Sequence, residues 1–216
     1  MNINYSQFLN MIPEVTLMAL LVIVFIADFF TAPRVVLPVA GQTSSVSPRK
    51  WFNPLVCLLM AVHILVNIFP TATATAFGGM YCTNAAIGVM KTILSLGAFI
   101  VLIQSREWMR RPDTQFKEGE FYLLVISTLL GMNMMISANH FLLFFLGLEM
   151  ASVPMACLVG LDKYRHNSAE AAAKFILTAT FSSGVMLYGI SLLYAAVGTL
   201  YFYDMAVKIT TSPLTI

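Results

Sequence analysis

Long apolar stretches separated by short polar segments dominate the chain. A helix that crosses the hydrocarbon layer of a bilayer needs about 20 mostly apolar residues. The pattern predicts six such helices, at about residues 12–30, 52–69, 84–104, 119–137, 139–161 and 168–199. No segment between them shows a helical or strand period of its own, so residues 1–216 are predicted to form one transmembrane domain. The predicted fold is an all-α, polytopic membrane helix bundle.

Composition supports a membrane protein and excludes several other classes. The 216 residues are 59% hydrophobic and 10% charged, whereas soluble domains carry roughly 25% charged residues. The net charge of +2 leaves no basic face suited to nucleic acid. The three cysteines are scattered without a CxxC motif, which argues against a structural zinc or iron–sulfur site. We therefore interpret them as small apolar residues within helices.

The positive charges predict the orientation. Nine Lys and Arg residues lie in the alternate loops at about 31–50, 105–118 and 162–167, and one, Lys208, lies in the opposite set. Loops rich in Lys and Arg stay on the cytoplasmic side. Both termini are therefore predicted on the non-cytoplasmic side, as an even number of spans requires. The first ten residues contain no Lys or Arg, so the first span is predicted to be retained rather than cleaved as a signal peptide.

Glu149 is the main candidate for chemistry. It lies about eleven residues before Gly160, which at 1.5 Å per residue places it about 16 Å from the end of the fifth span, near the bilayer midplane. An ionisable residue at that depth is energetically unfavourable and is a functional candidate by default. Pro154 follows one turn later, and its missing N–H should leave the Met150 carbonyl unpaired and kink the helix.

Lys174 is the second candidate, about 9 Å into the sixth span if that span begins near Ser168. Lys174, Thr178 and Ser182 follow i, i+4 spacing and could form a polar stripe that holds water. The alternative is that Lys174 extends to the headgroups while the hydroxyls support helix packing.

Other polar residues in or near spans are interpreted more plainly. Lys91 is a possible secondary site, with extension to the outer headgroups as the alternative. His63 and Asn67 share a helix face and are predicted to be a hydrogen-bonded packing pair. His140 is predicted to be solvated in an outer turn. Three carboxylates near span ends are expected to be unremarkable: Glu14, Asp28 and Glu120.

The run NHFLLFFLGLEMASVPMACLVGL, followed by SAEAAAKFILTATFSSGVMLYGISLLYAAVGTL, resembles the antiporter-like membrane subunits of bacterial NADH:quinone oxidoreductase, respiratory complex I. The shared pattern covers about 60 residues. Earlier residues fit more loosely, through Ile12-Pro13-Glu14 and Asp28. The resemblance implies that Glu149 and Lys174 are the family's proton-relay glutamate and lysine. His140 departs from the pattern, since an aspartate is common there.

The resemblance implies a subunit in the cell inner membrane that moves protons while quinone is reduced elsewhere in the complex. NADH, FMN, the iron–sulfur clusters and quinone would all bind to other subunits, and the partners would be other membrane subunits and lipid. Members of the family have about fourteen spans, so the chain is expected to be the N-terminal portion of a longer subunit. Two alternatives stay open: a subunit of a multisubunit cation/proton antiporter, and a purely structural membrane scaffold.

Overall fold

The computed structural model describes residues 8, 10–31, 51–69, 73–111, 114–162 and 165–211. Within these ranges the chain forms seven α-helices, which are α1 (Ile12–Thr31), α2 (Phe52–Ile68), α3 (Ala85–Met109), α4 (Glu118–Ile136), α5 (Phe141–Val159), α6 (His166–Val197) and α7 (Phe202–Thr211). Two short strands, β1 (Ala74–Ala76) and β2 (Tyr81–Thr83), connect α2 to α3. Single 3₁₀ turns occur at Phe77–Gly79 and Gln115–Lys117.

Five of these helices, namely α1, α3, α4, α5 and α6, are long and apolar enough to cross a membrane. The sixth, α2, is equally apolar but has 17 residues. Each of the six predicted stretches overlaps one of the helices α1–α6 over most of its length. The prediction of an all-α membrane helix bundle is confirmed.

The apolar core lies among α1, α2, α3 and α4. Its fully buried members include Leu17, Val56, Leu102, Ile126 and Leu129. Within α1, α2 and α4 the core residues recur every three or four positions, as Ile126 and Leu129 do, which places them on one face of the helix. The outer faces carry large exposed apolar side chains, as is expected where a helix contacts lipid tails rather than water.

The closest helix pair is α4 with α5. A Cβ added at Gly131 would meet the Met150 carbonyl carbon at 2.6 Å, and one added at Gly147 would meet the Met135 backbone nitrogen at 2.7 Å. Small residues allow membrane helices to approach until their backbones touch. The two glycines therefore fix the distance between α4 and α5.

A small hairpin covers one end of the bundle. Strands β1 and β2 pair antiparallel, with Ala76 opposite Tyr81. The turn between them uses positive φ at Gly78 (66°) and Gly79 (89°), which glycine adopts without strain. Hydropathy alone treats this stretch as an outer loop, because three-residue strands are too short to show a pattern. We call this end of the molecule the hairpin end.

The region after residue 199 also differs from expectation. The sequence predicts only a loop there, but residues 202–211 form α7. Ten residues are too few to span a bilayer, so hydropathy detects no helix. Phe202 packs edge-on against Phe141, with ring centroids 4.6 Å apart, and this contact holds α7 against the start of α5.

Candidate functional site

Glu149 lies in the middle of α5 and is partly buried. Its carboxylate has no hydrogen-bond or ion-pair partner among the described residues; Ser152 donates only to its backbone carbonyl, at 3.3 Å. Pro154 lies inside the same helix, which continues to Val159. The structure thus contains an unpaired carboxylate five residues before a proline within a spanning helix.

Lys174 does not pair with Glu149. Its ammonium binds Glu170 Oε1 at 2.5 Å, one turn earlier on α6, and its side chain is 73% exposed. Thr178 donates to the Lys174 backbone carbonyl at 2.8 Å, and Ser182 is exposed. The stripe predicted from i, i+4 spacing therefore lies on an exposed face of α6. A partner one turn away on the same helix requires no tertiary fit, which explains why Glu170 holds the lysine.

The strongest polar cluster joins three residues that are far apart in the sequence. Lys91 Nζ on α3 lies 2.5 Å from Glu14 Oε1 on α1 and donates to the Tyr81 hydroxyl at 3.0 Å. The Tyr81 hydroxyl donates to Glu14 Oε2 at 2.8 Å. Relative exposures are 2% for Glu14, 1% for Lys91 and 0% for Tyr81. We call these three residues the Glu14 cluster.

Two interpretations from sequence are wrong at this cluster. Lys91 does not extend to the headgroups, because its ammonium binds a buried carboxylate. Glu14 lies near the end of a span, as predicted, but its carboxylate is buried and ion-paired rather than solvated. A signal was available for Glu14: it falls on the same α1 face as the core residues Leu17, Leu20 and Val24. Nothing local in the sequence indicates its partner, which lies 77 positions away.

Tyr81 lies on β2, outside the spans. Burial raises the pKa of its phenol above the usual value, and the neighbouring negative charge of Glu14 raises this pKa further. The hydroxyl therefore stays protonated, and it can accept a hydrogen bond from Lys91 while it donates one to Glu14.

A second cluster lies next to the first and confirms one prediction. Asn67 Nδ2 lies 2.8 Å from His63 Nε2, so the two form the expected hydrogen-bonded pair. Thr16 Oγ1 lies 2.8 Å from His63 Nδ1, and Ser95 Oγ lies 3.3 Å from His63 Nε2. We call His63, Asn67, Thr16 and Ser95 the His63 cluster. Thr16 follows Glu14 by two residues, and Ser95 follows Lys91 by four. The His63 cluster therefore lies about one turn further from the hairpin end than the Glu14 cluster.

A third polar group lies at the opposite end of the bundle. Asn53 donates to the Tyr122 hydroxyl at 2.6 Å, and that hydroxyl donates to Glu118 at 3.3 Å. Lys117 binds Asp162 at 3.0 Å, which ties the start of α4 to the segment after α5. Within the described ranges no group of three His, Cys, Asp or Glu side chains could hold a metal ion.

His140 is not solvated as predicted, since it is only 8% exposed. Its Nδ1 accepts the Leu142 backbone N–H at 3.1 Å and so caps the start of α5. The ring also packs edge-on against Tyr201, with centroids 4.8 Å apart. An aspartate could provide the same acceptor at this position, which gives a physical reason why the two residues can replace each other.

Comparison with known proteins was made by sequence and by structure. Residues 138–214 match the family described as "NADH:quinone oxidoreductase/Mrp antiporter, TM". The chain is 48% identical to the NADH-quinone oxidoreductase subunit N of Phocaeicola vulgatus, over 97% of the chain and 41% of that protein. It is 39% identical to the subunit N of Azobacteroides pseudotrichonymphae, over 98% of the chain and 42% of that protein. The chain thus spans about two fifths of the length of these relatives.

Two solved structures share the fold. A chain of respiratory complex I from Thermus thermophilus superposes with a TM-score of 0.67 at 24% identity, covering 92% of this chain and 41% of that one. A chain of an archaeal membrane-bound sulfane sulfur reductase gives a TM-score of 0.60 at 19% identity, covering 94% and 40%. The chain is a multi-pass membrane protein, and over nearly its whole length it resembles subunit N of the NADH-quinone oxidoreductases.

Proposed function

We propose that the chain acts within the membrane arm of a proton-translocating NADH:quinone oxidoreductase, in the bacterial inner membrane. The observation that supports this most strongly is the 48% identity to a subunit N over 97% of the chain. In this proposal the chain forms the N-terminal portion of an antiporter-like subunit and contacts other membrane subunits and lipid. NADH, FMN, the iron–sulfur clusters and quinone bind to those other subunits.

Glu149 is proposed as the proton-transfer residue. A carboxylate that has no protein partner within a spanning helix is energetically unfavourable, and such a residue is a functional candidate by default. A group that gains or loses a proton in response to a nearby charge is suited to pass protons on. Pro154 supports this role because it removes one backbone donor in the next turn and leaves an acceptor for water.

Lys174 is proposed as the charge that adjusts Glu149. Its ion pair with Glu170 joins two residues one turn apart on an exposed face of α6, so no contact between helices has to break when the pair separates. The ammonium is therefore free to exchange partners at low energetic cost. Thr178 and Ser182 continue the same polar face and are proposed as secondary sites for water.

A second candidate is a subunit of a multisubunit cation/proton antiporter. The matching family description includes Mrp antiporters together with the oxidoreductases. This candidate predicts transport that requires sodium and no NADH, whereas the oxidoreductase subunit requires NADH oxidation. A purely structural scaffold predicts that neutral substitutions at Glu149 and Lys174 leave transport unchanged.

The proposed function is tested by Glu149→Gln in the full-length subunit within the assembled complex. Proton pumping, measured by quenching of a pH-sensitive dye in vesicles energised with NADH, should slow by about tenfold or more, because a positioned acid or base speeds proton transfer by about 10²- to 10⁴-fold. The matched control is Glu120→Gln, which removes an exposed carboxylate from the first turn of α4.

The control should pump like the wild type. Normal pumping by Glu149→Gln in a complex with the wild-type amount of the subunit would contradict the proposed role of this residue. Pumping in the wild type that needs sodium but no NADH would instead favour the antiporter candidate.

A further inference from the structure

The Glu14 cluster has unsatisfied polar neighbours. Both amide atoms of Asn133 and the hydroxyl of Ser137 have no hydrogen-bond partner among the described residues, although the two side chains are only 0% and 1% exposed. The Asn67 Oδ1 atom in the adjoining His63 cluster is also buried without a partner. Buried polar atoms in native proteins are nearly always hydrogen-bonded, to protein or to ordered water.

Helix geometry places Asn133 and Ser137 against the Glu14 cluster. On α4 they continue the stripe of Ile126 and Leu129, which packs into the core with α1. The Ser137 backbone carbonyl accepts from the N–H of Cys82, next to Tyr81. Tyr81 itself forms an isolated antiparallel bridge with Ala138, the residue after Ser137.

These buried, unpartnered polar atoms are suited to bind water. A buried water needs two to four polar partners, and Asn133, Ser137 and Asn67 provide unused donors and acceptors beside a charged pair. Water bound at Asn133 and Ser137 would satisfy these atoms and would extend the hydrogen bonds of the Glu14 cluster.

Beyond the His63 cluster, on the side away from the hairpin end, apolar side chains pack the interior among α1, α2 and α4. Leu20, Val56, Met60, Leu129 and Ile126 fill the space towards the third polar group, and all are at most 3% exposed. Water has no partners in such a layer. In the part of the chain that the structure describes, this layer separates the Glu14 and His63 clusters, which lie towards the hairpin end, from the third polar group.

We propose that Glu14, Tyr81 and Lys91 form a second buried proton-transfer site, hydrated through Asn133 and Ser137, that exchanges protons with the solution at the hairpin end. The site has this role only if the chain takes part in proton translocation, as proposed for Glu149. Nothing in the family resemblance or in the matched names assigns a role to these three residues.

The chemistry is a relay through the phenol. Lys91 Nζ gives a proton to the Tyr81 oxygen as the Tyr81 O–H proton passes to Glu14 Oε2. One N–H bond breaks, one O–H bond forms at Glu14, and Tyr81 is unchanged. Both charged groups become neutral, so the step removes a buried ion pair whose desolvation is unfavourable. The neutral carboxyl can then release its proton to water at Ser137 and Asn133.

A purely structural role makes a different prediction. Replacing a buried ion pair by neutral residues of similar volume is often neutral or stabilising, whereas removing one partner is strongly destabilising. The double variant Glu14→Gln/Lys91→Met should therefore assemble even though each single variant is impaired. If the pair only holds α1 against α3, this double variant should also pump normally.

The test is proton pumping by the full-length double variant within the assembled complex, normalised to the amount of subunit in the membrane. We expect the variant to assemble and its pumping rate to fall by about tenfold or more, given the about 10²- to 10⁴-fold that positioned acids and bases contribute. Wild-type pumping in the assembled variant would overturn the proposal.

If the double variant fails to assemble, the single variant Tyr81→Phe tests the proposed proton-transfer site instead. It removes only the relay hydroxyl, and Tyr122→Phe is its matched control, because Tyr122 is also a buried phenol that accepts one hydrogen bond and donates one. Slower pumping by Tyr81→Phe than by Tyr122→Phe supports the proposal, and equal rates overturn it.

Glu149→Gln, measured in the same preparation, separates the two proposals. If Glu149→Gln slows pumping and the variants of the Glu14 cluster do not, only the second site is wrong. If the wild-type complex translocates no protons, the proposed function itself is wrong.

Discussion

At the scale of single residues, the environment of a side chain decides its chemistry more than its depth does. Glu14 and Glu149 are both carboxylates in spanning helices, but Glu14 has an ammonium and a phenol as partners, while Glu149 has no partner among the described residues. Neutralising a paired carboxylate alone leaves its buried cationic partner uncompensated, whereas neutralising an unpaired one leaves no such charge behind. The two glutamates are therefore expected to respond differently to the same neutral substitution.

His140 gives a prediction at this scale. His140→Ala should destabilise the fold by about 0.5–2 kcal/mol because it removes the cap of α5, while His140→Asp and His140→Asn should retain the cap. The loss of stability is measured as a shift in the thermal unfolding midpoint of the full-length protein in detergent. Equal midpoints for the alanine and aspartate variants would contradict the capping role.

The same residue predicts a dependence on pH. Burial lowers the pKa of His140, and only the unprotonated Nδ1 can accept the Leu142 N–H. The unfolded chain therefore binds this proton more readily than the folded one, so stability is full above about pH 6.5 and falls as the pH is lowered further. The midpoint of His140→Asn should depend less on pH in that range than the midpoint of the wild type.

At the scale of elements, the contact between α4 and α5 is the most restrictive. Gly131→Ala should destabilise the protein by about 1–3 kcal/mol, because the new methyl group would overlap the backbone of α5 at Met150 and Ala151. The measurement is the fraction of the protein that stays soluble in detergent after heating, over a series of temperatures.

Gly184→Ala is the matched control for this substitution. Gly184 lies within α6, and a Cβ there meets no atom within 4 Å. Alanine should be tolerated at that position or should stabilise the helix slightly. If both variants resist heating equally, the glycine contact does not set the spacing of α4 and α5.

At the scale of the whole molecule, charge and packing describe different properties. The distribution of Lys and Arg predicts which side of the membrane each loop occupies. The fold shows which loops share an end of the bundle: the hairpin and α7 lie at one end, and Lys117 and Asp162 lie at the other. The proposed proton exchange at the Glu14 cluster would thus occur at the non-cytoplasmic surface.

This orientation can be tested with cysteines in a variant that lacks the three native ones. Thr73→Cys, before β1, should react with a membrane-impermeant maleimide in intact cells. Asn167→Cys, at the start of α6, should react only after the membrane is made permeable. Both positions are exposed. The reverse result would invert the predicted topology, and reaction of both in intact cells would contradict the number of spans between them.

By itself, the sequence determined the class of the protein and the approximate positions of the long helices α1–α6. Apolar stretches of spanning length leave the backbone no alternative to the helix in lipid, because each N–H and C=O must be satisfied within its own segment. Glu149 could be singled out as a candidate from the sequence, because a carboxylate within an apolar stretch of spanning length is rare. The His63–Asn67 pair was predictable because its members are one turn apart on one helix.

Only the tertiary structure decided which polar residues meet. Glu14 and Lys91 lie in different helices, and hydropathy does not show which faces of α1 and α3 are in contact. Tyr81 reaches them from a hairpin too short to have a sequence signature. Lys174 binds Glu170 rather than Glu149, because a partner on its own helix is available without any tertiary packing. Tertiary packing thus creates a buried ion pair at residues that, taken singly, look like ordinary charges near the ends of membrane spans.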